Sequence, residues 1–164
     1  MLPDITLEPE NIQLLFINEV VPPDPADSLY SKADSPSHAI SALSLLSQAG
    51  RAFSSMEEAV SSGLYLTTAI KTPKTGYSVP LAEIKRQLPL LEAELALFPN
   101  LKAVLLMGDV AISACNQIAR KQTKKSVIPS QSTYKIRHME FYFRNLRVFP
   151  SYIMTGKNLL IEKG

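Results

Sequence analysis

The sequence predicts an α/β protein: a three-layer α/β/α arrangement about a central, mainly parallel sheet of about four strands. Three observations carry that expectation. Apolar runs of strand length recur at Ile12, Leu64 and Leu101, and stretches with apolar residues at helical spacing lie between them. The 164 residues, 46% of them hydrophobic, suffice for one domain with a real core, so residues 1–164 are read as a single domain.

Ile12 to Ile17 (IQLLFI) reads as a buried central strand that stops at Asn18 and Glu19, ahead of Pro22 and Pro23. Pro22 to Ser37 holds four prolines with several Asp and Ser residues, the composition of a long loop, where function often sits. Ser37 is placed to cap a helix from His38 to about Gln48, with Ile40, Leu43 and Leu46 on its apolar face and Gly50 ending it. Met56 to Ser61 is a shorter helix closed by Gly63. Leu64 to Ile70 (LYLTTAI) has strand composition, and Lys71 to Pro80 is a turn-rich loop. The longest helical pattern runs from Leu81 to Phe98, with Pro89 expected to kink it. Leu101 to Met107 is another buried strand, turning through Gly108 into a helix from about Val110 to Arg120. MEFYF and LRVFP, either side of Arg144 and Asn145, suggest a hairpin or a pair of late strands, with His138 on the first of them.

Strands joined by helical crossovers imply a parallel sheet, and in such sheets ligands bind beyond the carboxyl ends of the strands. That rule nominates Asn18 to Pro23, Thr67 to Pro73, Gly108 to Asp109 and the segment after Pro150 as neighbours around one cleft. No apolar run approaches the roughly 18 residues of a membrane span, and the acidic N-terminus lacks a signal-peptide pattern, so the expectation is a cytoplasmic protein with no membrane partner. A single cysteine, Cys115, excludes an internal disulfide, a cysteine-based zinc site and a four-thiolate cluster; in a helix of Ala and Ile it reads as buried filling. Residues 1–100 carry 6 basic and 12 acidic side chains, whereas residues 101–164 carry 11 basic and 3 acidic. The basic half, with Arg120, Lys121, Lys124 and Lys125 close together, suits a phosphate-rich partner; a solvated, lysine-rich helix end is the other reading.

The stretch LYLTTAIKTP, followed by a long amphipathic helix and LFPNLKAVLLMGDVAISA, is similar to the strand–loop–helix–strand and glycine turn of the uracil-DNA glycosylase superfamily. FINEVVPPDP resembles its first motif and FPSYIMTGKNLLIEK its last, so the resemblance covers most of the chain. The acidic residue and proline pair of the first motif resemble a divergent bacterial and archaeal branch; Thr72 stands where cluster-bearing relatives have a cysteine, so no cofactor is implied. The resemblance implies hydrolysis of the N-glycosidic bond of uracil or another deaminated base in DNA, after the nucleotide is rotated out of the duplex. A nucleoid-associated place in a prokaryotic cytoplasm would follow.

Within this resemblance Glu19 and Asn18 are the catalytic candidates: the Glu19 carboxylate would orient water or stabilise charge on the sugar, or else be satisfied by loop amides. Tyr30 would stack on the flipped base, or else pin its loop to the core. Thr68 stands where many relatives read the base with an asparagine, and its hydroxyl cannot supply an amide's separate donor and acceptor. Amides around Gly108 would add electrostatic stabilisation. Relatives commonly show His-Pro-Ser in the last motif, where Ile153, Met154 and Thr155 stand here, so no imidazole acts at Ile153. Lys71, Tyr152, Met154, Thr155, Gly156, Lys157 and Asn158 are the DNA-binding candidates, with Met154 or Tyr152 as a wedge into the stack. Neither His138 nor His38 reads as a metal ligand. The alternative to an enzyme is a catalytically degenerate DNA-binding or scaffold protein that keeps the fold. A monomer is expected; related domains usually continue into a closing helix after the last motif, and without it an open sheet face would favour self-association.

Overall fold

Strands β1 (Leu14–Val20), β2 (Leu64–Ile70), β3 (Ala103–Met107), β4 (Phe141–Phe143) and β5 (Leu146–Ser151) form one sheet in the computed structural model, which describes residues 2–154. The order is β2-β1-β3-β5-β4, parallel throughout except that β4 runs antiparallel to β5. Among the described residues the sheet therefore has five strands rather than four: both arms of the late hairpin join it, turning at Arg144, whose φ is 56°.

Helices α1 (Ser37–Gln48) and α2 (Met56–Ser61) cover one face; α3 (Leu81–Leu95) and α4 (Asp109–Thr123) cover the other, and α5 (Thr133–Ile136) is a single turn before β4. Alternation along the strands divides the core accordingly. Tyr65, Ala69, Val104 and Leu106 pack with Ile84, Leu88, Leu91 and Ile118 beneath α3 and α4, whereas Phe16, Leu64, Leu66 and Met107 pack with Ala42, Leu46 and Ala59 beneath α1 and α2. Each fully buried Leu or Ile stabilises the fold by roughly 1.5–3 kcal/mol before chain entropy is subtracted.

Several elements differ from their sequence expectations. β1 begins at Leu14 and runs through Asn18 and Glu19, because pairing with β2 continues to Val20 and Ile70. Ser37 does not cap α1; Pro36 holds the cap position and the Ser37 amide donates to Asp27 Oδ1 at 3.1 Å. The buried stripe of α1 is Ala39, Ala42 and Leu46, which turns Ile40 outward, 52% exposed. α3 includes Pro89 within its span and ends at Leu95, short of Phe98. His138 lies exposed on the turn after α5, not on a strand. Cys115 is half-buried rather than fully enclosed, and burial pushes its thiol up to about 12. Among the described residues no helix is long and apolar enough to cross a membrane.

Candidate active site

Strand order makes β1 the centre of the winding: the chain passes from β1 outward to β2, then back across β1 to β3. A doubly wound sheet opens a crevice at such a switch point, beyond the carboxyl ends of the two strands that flank it. Here those ends carry Glu19 on β1 and Gly108 after β3.

Gly108 joins β3 to α4 with φ 107° and ψ 171°, a backbone conformation that side chains other than glycine's rarely adopt. Its amide donates to the Ser151 carbonyl at 3.1 Å, tying the end of β3 to that of β5. A Cβ here would lie 2.6 Å from Glu19 Oε1 and 2.8 Å from Ile153 Cγ1. The missing side chain is the space that the Glu19 carboxylate fills. Glu19 Oε1 accepts the Val110 amide at 3.0 Å, so the carboxylate caps the first turn of α4 and meets its positive dipole end. Both sequence readings of Glu19 bear on one side chain: an amide satisfies one oxygen while the residue still lines the cleft.

The cleft divides into adjoining cavities. One, about 340 Å³, is lined by Asn18, Glu19, Val20 to Pro23, Leu29, His38, Lys74, Ile153 and Met154. A second, about 250 Å³, has Tyr30, Thr67 and Thr68 on its wall. Further hollows, of about 570 and 790 Å³, extend over Thr72, Pro73 and Lys74 on one side and over Tyr77, Asp109 and Ser113 on the other. All four segments nominated from the sequence reach this rim.

The individual candidates stand as follows. Asn18 pairs with Thr68 across β1 and β2, both near the cleft. Thr68 is buried, and its hydroxyl donates to the Ile70 carbonyl of its own strand at 2.9 Å. Tyr30 plugs the exposed edge of β2: its hydroxyl donates to the Leu66 carbonyl and accepts the Leu66 amide, each at 2.9 Å. Its ring lies stacked on Tyr65 with centroids 5.7 Å apart, and burial pushes the phenol above its ordinary range. The loop-pinning role is thus made, with the ring still contributing to the second cavity. Lys71 turns away from the rim. Its ammonium contacts Glu94 Oε2 at 2.5 Å and Thr67 Oγ1 at 2.6 Å beneath α3, and its amide donates to Gln87. Met154 is buried against Phe16 and Leu29, which does not present it as a wedge, and Tyr152 is half-buried at the end of β5. Thr155, Gly156, Lys157 and Asn158 lie outside the described residues.

Three rim residues carry no sequence signal of a site. Lys74 lines the 340 Å³ cavity and both of the further hollows. Tyr77, 99% exposed, has the Lys74 ammonium 5.6 Å from its ring centroid. His38, on the first turn of α1, lines both the 340 Å³ and the 250 Å³ cavity. Composition gives no reason to prefer Lys74 over Lys71 in KTPKTG; only the position of Glu94 separates them.

A further cavity of about 410 Å³ lies toward the amino ends of the strands, between α3, α4 and the β4–β5 turn. Its wall is mainly apolar, and the charged groups near its mouth are already engaged: Arg144 donates twice to Gln122, and Lys121 pairs with Glu92 at 2.8 Å. It offers less chemistry than the carboxyl-end cleft. Among the described residues no group of three or more His, Cys, Asp or Glu side chains is placed to hold a metal ion. No family model matches the chain, and no curated protein is significantly similar to it.

Proposed function

We propose that the carboxyl-end cleft hydrolyses the N-glycosidic bond of a deaminated base in DNA, uracil being the first substrate to test. The observation that carries this reading is the Glu19 carboxylate, held by the Val110 amide at the switch point and lining a cavity of about 340 Å³. That volume suits one flipped nucleobase, within the size range of small-ligand sites. In the proposed reaction water attacks C1′ of the deoxyribose, and Glu19 takes its proton through the oxygen not bonded to Val110. The C1′–N bond breaks, its electron pair leaves with the base, and the proton passes on to the base. Charge developing on the sugar is stabilised by the same carboxylate. Lys74 and Tyr77 on the rim supply a cation for a phosphate and a face for a neighbouring base. The family resemblance noted in the sequence supports this assignment, and the reaction would place the protein with cytoplasmic DNA as a monomer.

The test is excision from labelled oligonucleotides bearing uracil, hypoxanthine or xanthine, read by alkaline cleavage of the abasic site. Wild-type protein is expected to cleave at least one, and Glu19→Gln to lose ~10²–10⁴ in rate with DNA affinity nearly intact. Glutamine keeps an oxygen for the Val110 amide, so the fold survives. Absence of excision from all three substrates by wild-type protein would favour the binding or scaffold reading.

A further inference from the structure

The cavity of about 410 Å³ beside the β4–β5 turn reaches down to the sheet, where Ile17, Val104 and Val148 line it, and is walled by Leu91 and Leu95 of α3 and Ile118 of α4. An apolar chamber of this size with a few polar groups at its mouth has the make-up of a small-molecule site. The charge at that mouth is uneven. Glu92 is neutralised by Lys121 at 2.8 Å. Arg144 has a neutral partner instead: its Nε and Nη2 both donate to one oxygen, Gln122 Oε1, at 3.0 and 2.6 Å, and among the described residues it forms no ion pair. Its guanidinium carbon lies 5.3 Å from the centroid of the Phe143 ring. Gln122 and Phe143 themselves line the cavity, so these contacts hold the guanidinium at its rim.

The Nε–Nη2 edge of a guanidinium is a two-pronged donor that matches the two oxygens of a carboxylate, and a single amide oxygen spread across both prongs leaves that match unfilled. The backbone adds a second sign. Arg144 takes φ 56°, in the left-handed region that strains residues with a side chain, while the adjoining Asn145, of a type that tolerates it, does not. The turn thus accepts strain at the position that carries the arginine. We propose that this cavity binds a small carboxylic acid with an apolar body of about ten carbons, its carboxylate displacing Gln122 from Arg144 and its body lying against Leu95, Ile118 and Val148. Cys115 on the same wall adds no charge against the anion, since burial pushes its thiol up to about 12. The site lies at the opposite end of the sheet from Glu19 and is independent of the excision chemistry.

Calorimetric titration of the full chain with decanoate and with naphthoate tests this, the first probing an acyl body and the second an aryl one. At least one should bind saturably, and its neutral counterpart, decanol or naphthol, should bind about tenfold or more weakly. Failure of both acids to bind, or equal binding of the neutral counterparts, overturns the proposal. Arg144→Gly removes the guanidinium and relieves the backbone at φ 56°, so melting should not fall while affinity for the acid drops ~10–100-fold. Undiminished affinity in that variant overturns the site. Cys115, the single cysteine of the chain, reports the position independently: bound acid should slow its reaction with N-ethylmaleimide, and an unaltered rate overturns the placement.

Discussion

At the carboxyl end of the sheet Glu19, His38, Lys74 and Asp109 surround open cavities, whereas at the amino end the charged groups are largely spoken for. There Lys121 pairs with Glu92, Arg144 with Gln122 and Arg120 with Ser126, beside an apolar cavity. Among the described residues, the basic side chains at the end of α4 and on the β4–β5 turn belong to this second end. α4 follows Gly108 in the cleft and carries Arg120 and Lys121 about 18–20 Å along its axis away from it. A charge imbalance along the chain is therefore no map of charge around a site, because a helix antiparallel to its strands moves its last turn to the opposite pole. Around the cleft Glu19 is held by the Val110 amide, while Asp4 pairs with Lys32 and Glu83 with Arg86.

The sharpest way to break the contrast is at its hinge. Gly108→Ala should lower the unfolding free energy by about 2–4 kcal/mol in urea titrations, because a Cβ strains the backbone and displaces both Glu19 and Ile153. Unchanged stability would mean that the Glu19 cap is not fixed as described. Next in size is Glu94→Gln. Glu94 accepts from Lys71, Thr67 and Tyr65 in a largely buried setting, so its loss should cost roughly 1–3 kcal/mol while excision per folded molecule stays the same. A selective fall in excision would bring Lys71 back into the site.

Charge distinguishes the two ends more finely. Lys74→Gln should reduce the slope of log affinity against log salt by about one unit, while the double change Lys124→Gln, Lys125→Gln should leave it unaltered. A fall of about two units in the double variant would move DNA to the amino end. The smallest effect concerns pH. The folded chain holds His38 below 6.5, so the unfolded chain binds its proton first as pH falls; stability is fully present above pH 6.5 and declines as pH drops toward the folded value. His38→Gln should remove that decline in melts recorded across this interval, and a decline that persists would assign it to other groups.

Residues whose boundaries have local chemical causes were legible in advance. β2 and α2 fall where the sequence puts them, since Ser55 caps α2 through the Glu58 amide and Gly63, at φ 98°, separates the two elements. The start and end of β1 were not legible: Asn18 and Glu19 look like a strand terminus, and only pairing with Thr68 and Ile70 on β2 extends the strand past them. α5 spans four residues, too few for any periodicity to register. Site residues divide in the same way. Glu19 and Gly108 belong to recognisable motifs, while Lys74 and His38 stand in loop-like or helix-start contexts that any surface could contain.

Local sequence by itself determined the alternation of strands and helices, the glycine turn after β3 and the presence of a carboxylate near the end of β1, because these follow from apolar spacing and backbone conformation within a few residues. Tertiary structure decided which lysine faces the cleft, that Tyr30 closes the edge of β2, that the late hairpin adds both arms to the sheet, and that an imidazole from α1 lines the same cavity as Glu19. Those outcomes depend on contacts between residues tens of positions apart. Such contacts are selected by the packing of whole elements, and no short window of sequence records them.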